Sequence, residues 1–283
     1  MTATARAALW MIGSIASFSA MAVAGREVAV ALDTFEVMLY RSLIGFVLVA
    51  TVGALTGNLG HVTRRHLGLH FARNISHFAG QNLWFYALTA IPLAQVFALE
   101  FTSPLWVVFL APLVLGERLT WPRVLAAGLG FVGILIVARP GAASLGPGTL
   151  AAASAAIAFA LTAVFTRKLT RSEATICILF WLTLMQAGFG LIAAGIDGDI
   201  AWPTAQAAPL VALIAVAGLV AHFCLTQALA LAPASVVIPI DFTRLPLIAL
   251  IGALFYHESL APSFYLGAAI IIAANILNLR AAR

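Results

Sequence analysis

Four ionisable residues stand inside long apolar runs: Arg41, Glu100, Asp241 and Arg244. A charge in hydrocarbon costs at least about 2.5–3.5 kcal/mol, so each requires a partner or water. Opposite charges at such depth suit two tasks: gates that open in turn, or a cradle for the carboxylate and ammonium of a zwitterion. A static ion pair that sets helix register is the structural alternative. Arg41 and Glu100 each lie about seven residues, roughly 10 Å, into their apolar runs. Depth therefore predicts Arg41 with Glu100 as an outer pair. Asp241 with Arg244, three residues on, is the expected inner pair.

Asn74, His77, Gln81 and Trp84 follow i, i+3, i+7, i+10 spacing and share one helical face. Such a stripe in lipid must face protein or water, as hydrogen-bonding glue or as cavity lining. Gln95, Thr102 and Trp106 form a similar face, and His222 and Gln227 add polar groups later in the chain. Trp84, Trp106 and Trp181, with Phe101 and Tyr86, carry rings that stack on an aromatic or cationic ligand, or pack a core or an interfacial belt. His77 and His222 are candidates for proton coupling.

Other patterns fail on inspection. Gly128-Leu129-Gly130-Phe131-Val132-Gly133 fits a dinucleotide fingerprint. It follows no strand and has no acid about 20 positions on, so close helix packing is the better reading. His66 and His70 have the i, i+4 spacing of metal ligands. Beside Arg64 and Arg65, they read instead as a solvated basic segment near anionic lipid. Cys177 and Cys224 sit singly in apolar runs, as packing residues. No nucleophile elbow, zinc-protease or Walker pattern occurs, so no catalytic residue, metal or cofactor is expected.

The elements that must position these residues are transmembrane helices. Of 283 residues, 63% are hydrophobic and 9% charged, against roughly 25% charged in soluble domains. That excludes a soluble enzyme, a disordered tail and a nucleic-acid module. The net charge of +5 comes from basic residues in short connections, as the positive-inside rule requires. Apolar runs fall near 7–25, 34–56, 67–90, 93–115, 122–139, 149–166, 174–195, 208–231, 235–256 and 262–280. Each is near the roughly 20 residues of a membrane helix. Pro92 and Pro233 are expected to begin helices after tight connections. Pro104, Pro239 and Pro246 are expected to kink helices inside spans.

A shift of 141 residues aligns the chain with itself without a gap. Phe18 falls on Phe159, Arg26 on Arg167, Gln81 on His222, Pro92 on Pro233, Glu100 on Asp241 and Glu117 on Glu258. This predicts an all-α membrane protein of ten helices in two five-helix repeats, 1–141 and 142–283. Five is odd, so the second repeat is expected to be inverted, as in secondary transporters. The repeat also argues that the first apolar run is a retained helix and not a cleaved signal. Eleven Lys and Arg, among them Arg64, Arg65 and Arg73, fall on one side and two on the other, which predicts cytoplasmic termini in the cytoplasmic (inner) membrane.

Gly116-Glu117-Arg118-Leu119 and its imperfect echo His257-Glu258-Ser259-Leu260 close the fourth and ninth spans. With Tyr40-Arg41, and Gly130-Phe131-Val132-Gly133 leading to Arg139-Pro140-Gly141, this pattern resembles the drug/metabolite transporter superfamily, in its EamA-type branch. The resemblance implies alternating access around a central cavity, with the fifth and tenth helices peripheral. It also implies export of a small metabolite, an amino acid or its analogue first. The alternatives are an importer of a nucleotide-like or vitamin-like compound, an intramembrane enzyme using His77, His222 and Glu100, and a non-transporting structural protein. The expected partners are a small-molecule substrate, the bilayer and a second copy through the peripheral helices, with no nucleic acid.

Overall fold

The computed structural model describes residues 1–28, 32–91, 93–118, 120–138, 146–196, 198–256 and 261–281. Pro92, Leu119, Arg139-Pro140-Gly141 and His257-Glu258-Ser259-Leu260 lie outside them, as do the side chains of Arg26 and Gln95. Among the described residues every regular element is helical. They are α1 (Ala3–Val28), α2 (Thr34–Leu55), α3 (Leu67–Ala90), α4 (Leu93–Glu100), α5 (Ser103–Leu115), α6 (Trp121–Ala138), α7 (Pro147–Leu169), α8 (Thr175–Ala194), α9 (Ala208–Leu231), α10 (Ala234–Val237), α11 (Arg244–Tyr256) and α12 (Pro262–Ala281). Short 3₁₀ turns cover Asn58–His61 and Ile238–Thr243. Six of these helices are long and apolar enough to cross a membrane.

Two predicted spans are not single helices. The fourth divides into α4 and α5, and the ninth into α10, a 3₁₀ turn and α11. Pro104 explains the first break. It has no N–H for the Glu100 carbonyl, and its ring crowds that carbonyl, so α4 stops there and α5 restarts with Pro104 in its first turn. Pro239 opens the 3₁₀ turn in the same way. Pro104 and Pro239, expected to kink their helices, interrupt them instead, and Pro246 lies in the first turn of α11.

Helix ends follow local chemistry. Asp33 caps α2 by accepting from Glu36 N at 2.8 Å, while Glu36 Oε2 accepts from Asp33 N at 3.0 Å. Gly116 ends α5 at φ +66°, a left-handed conformation that favours glycine.

Shifted by 141, α3 falls on α9 and α5 on α11 with the same bounds. The largest interfaces are α1 with α9, α3 with α7, α2 with α8 and α6 with α12. Exchanging the halves turns the first pair into the second and returns the other two to themselves. Glycines let α6 approach its neighbours: an added Cβ on Gly133 would lie 2.9 Å from Gly267 O of α12, and one on Gly130 would lie 2.5 Å from the Phe242 ring of the 3₁₀ turn. The glycine pattern is therefore a packing face. It is used within the chain, so Gly130, Gly133 and Gly267 are not left for a contact between copies.

Candidate functional site

The two breaks bring costly charges together. Glu100 ends α4, Asp241 lies in the 3₁₀ turn and Arg244 opens α11. Arg244 Nη2 lies 2.5 Å from Glu100 Oε1 and 3.0 Å from Asp241 Oδ2. Trp84 Nε1 donates to the other Glu100 oxygen at 2.7 Å. The guanidinium also stands over two rings, 5.1 Å from the Phe101 centroid and 5.6 Å from that of Phe18. The predicted Asp241–Arg244 pair forms. The predicted Arg41–Glu100 pair does not: α2 packs on α8 and α9, so Arg41 faces those helices while Glu100 is held by Arg244.

A second cluster lies across Phe18. Its ring meets His222 edge-on at 5.3 Å, and His222 meets His77 edge-on at 4.7 Å. Phe159, the repeat partner of Phe18, lies 6.3 Å from His77. His77 and His222 fall within about 4 Å, along the axis, of the midpoints of α3 and α9. Both His77 ring nitrogens, His222 Nε2 and Gln81 Oε1 are buried without a partner among the described residues. Arg41, Gln186 and His222 line one crevice between α2, α8 and α9, with room for about one water.

Arg73 is a buried candidate beside this cluster that the sequence reading missed. Grouped with the cytoplasmic charges, it is 1% exposed and donates to Asn74 Oδ1 at 2.8 Å and Thr166 Oγ1 at 3.2 Å. Its spacing of four before His77 places it on the same helical face, and that signal was available. Asn74 also bonds across to α8, donating to Trp181 O at 3.2 Å, while its own carbonyl accepts from Gln186 Nε2 at 2.7 Å.

Three candidates stand elsewhere. Trp106 is 41% exposed at the protein surface. Trp181 holds the segment before α3, donating to Thr63 O at 2.8 Å. Gln227 is half-buried on α9 and joins neither cluster. His70 is not solvated; it is buried with Cys177 and Glu173. Thr63 occupies that corner, its hydroxyl donating to Glu173 at 2.9 Å and its N–H to Cys177 Sγ at 3.4 Å.

The Glu117 motif has a structural task. Its carboxylate accepts from Ala234 N at 3.2 Å and Ser235 Oγ at 3.1 Å, and lies 3.6 Å from Arg167 Nε. Arg167 also donates to Leu229 O and, at 3.2 Å, to Ala230 O. Together they tie the end of α5 and the end of α7 to the α9–α10 turn.

Comparison with known proteins agrees with this architecture. A crystal structure with 20% identity superposes with a TM-score of 0.83, covering 98% of this chain and 97% of its own. A riboflavin transporter of Brucella anthropi is 33% identical over 219 residues, 76% of this chain and 77% of that protein. An S-adenosylmethionine uptake transporter of Rickettsia bellii is 27% identical over 267 residues, 94% and 91% of the two chains. A riboflavin transporter of Vibrio cholerae is 28% identical over 269 residues, 94% and 90%. The family model described as EamA-like transporter matches residues 5–139 and 146–280. The chain belongs to the EamA-like transporter family, within the drug/metabolite transporter superfamily.

Proposed function

We propose that this multi-pass membrane transporter takes up a vitamin-like or nucleoside-like metabolite with an aromatic ring system. It does so by alternating access between two inverted five-helix repeats, in the inner membrane, with both termini cytoplasmic. The observation that carries the reading is the junction of the two interrupted spans. Helix breaks at mid-bilayer, lined by ions and rings, are where secondary carriers hold cargo. Phe101 lies buried under the Arg244 guanidinium, so in the proposed open site Phe18, Phe101 and Trp84 present faces to a planar ring once Arg244 swings away, and Glu100, Asp241 and Arg244 supply polar contacts. Rupture of Glu100–Arg244 on one side, and re-formation after transit, is the proposed gating step.

The named relatives move riboflavin and S-adenosylmethionine. They support uptake of a vitamin-like compound over export of an amino acid. Membership of a transporter family also answers the enzyme alternative: this is a carrier, not a catalyst.

The test is uptake into proteoliposomes of labelled riboflavin, S-adenosylmethionine and a panel of amino acids, with and without a pH gradient. Saturable accumulation of a ring-bearing compound is the expected outcome. Transport of amino acids alone overturns the reading.

A further inference from the structure

Arg41 is 8% exposed, and among the described residues its guanidinium has no carboxylate within ion-pair distance. Its Nη1 touches sulfur only, Met38 Sδ at 3.7 Å and Met21 Sδ at 4.0 Å. A buried guanidinium without an oxygen acceptor is among the most expensive arrangements a membrane protein can hold. The nearby acids are engaged elsewhere. Glu36 accepts from Asp33 N and Ala201 N, Glu173 accepts from Thr63, and Glu100 and Asp241 hold Arg244.

The surroundings add positive charge and hydrogen-bonding capacity. Arg73 stands within electrostatic range of Arg41, and both act on His77 and His222. Arg73 donates to the neutral oxygens of Thr166 and Asn74, and Gln186 of the crevice donates to the Asn74 carbonyl next to it. His222 and Gln186 share the Arg41 crevice, with His222 Nε2 and Gln186 Oε1 unpartnered. Gly218 leaves the α9 backbone open beside the guanidinium, since a Cβ there would lie 3.7 Å from Arg41 Nη2. A guanidinium that has only sulfur acceptors and lines a water-sized space is one that an oxyanion would satisfy.

We propose that Arg41, backed by Arg73 and edged by His222, binds an oxyanion of the transported molecule, a carboxylate or a phosphate. This deepens the transport reading and rests on it. It selects a cargo with an acidic group over an uncharged one. In this closed state the crevice has room for about one water, and the oxyanion reaches Arg41 as the halves separate and the crevice widens.

The test is binding to the detergent-purified full chain, read apart from transport. Thermal unfolding is followed at constant ionic strength with acetate or inorganic phosphate replacing chloride. Flavin fluorescence compares riboflavin with its 5′-phosphate, which differ only in the oxyanion. The expected result is a melting temperature raised by several degrees by acetate or phosphate, and at least tenfold tighter binding of the phosphorylated flavin. R41M and R41Q should lose both responses, and R41M should melt no lower than wild type in chloride, since its methionine removes an unpaired buried charge. Acetate raising it alone indicates a carboxylate, and phosphate alone a phosphate. Equal anion responses in wild type and both variants, or no stabilisation by any of these anions, overturns the proposal. If the anion response is present but no ring-bearing compound is taken up, the transport reading fails and this site stands.

Discussion

Glu100 and Asp241 reach the same nitrogen, Arg244 Nη2, from two halves of the chain, at 2.5 and 3.0 Å. They occupy equivalent positions under the 141-residue shift, yet only the second half supplies the arginine; Ser103 stands at its counterpart. The halves are thus closed on one another by an asymmetric bond. In the proposed cycle this bond breaks and re-forms.

Removing the guanidinium leaves two carboxylates facing each other. R244M is expected to cost about 3 kcal/mol, the low end for breaking a buried pair because Asp241 is partly exposed. The triple variant E100Q/D241N/R244M should recover the thermal stability, measured in detergent, without recovering uptake. E100Q and D241N alone should each slow uptake at least tenfold. Wild-type rates in both would return the cluster to a purely structural role.

The two tryptophans divide cleanly. W84F loses the bond to Glu100, a hydrogen bond to a charged group worth about 1.5–3 kcal/mol. Uptake should fall roughly tenfold or more. W106A changes an exposed residue and should leave initial rates within about twofold. Initial-rate uptake in matched proteoliposomes checks both.

Gly218 sets the room beside Arg41. An alanine Cβ would meet Met21 Sδ at 3.3 Å, a flexible side chain that can give, so G218A should stay within about threefold of wild type. G218L would displace the guanidinium, and overpacking of about 1–3 kcal/mol translates to roughly a tenfold loss in binding. Binding of riboflavin 5′-phosphate to both variants is the measurement.

Glu117 is expected to act through the fold. E117A removes acceptors for Ala234 N and Ser235 Oγ and the partner of Arg167, at about 1–2 kcal/mol. The melting temperature should drop, while the Km of the residual uptake stays near wild type. A changed Km with an unchanged melting temperature would move this residue into the transport cycle.

Much of this was legible in residue order. Hydropathy marks the membrane segments because a long apolar helix satisfies all its own backbone hydrogen bonds in lipid. The 141-residue offset matches Glu100 to Asp241 and α3 to α9, since a repeat leaves its register in the sequence. The inward stripe of His77 and Gln81 followed from helical spacing alone, and both residues are buried. Partner choice was not legible. It depends on which helices meet: α2 lies against α8 and α9, so Arg41 is not brought to Glu100, and the interrupted ninth span brings Arg244 there instead. Arg73 reads as a cytoplasmic charge beside Arg64 and Arg65, and only the packing of α3 on α7 buries it against Thr166. Spacing along one helix orders the residues of a face. Which face of another helix it meets is set by side-chain volumes and glycines from distant parts of the chain, and that is decided in three dimensions.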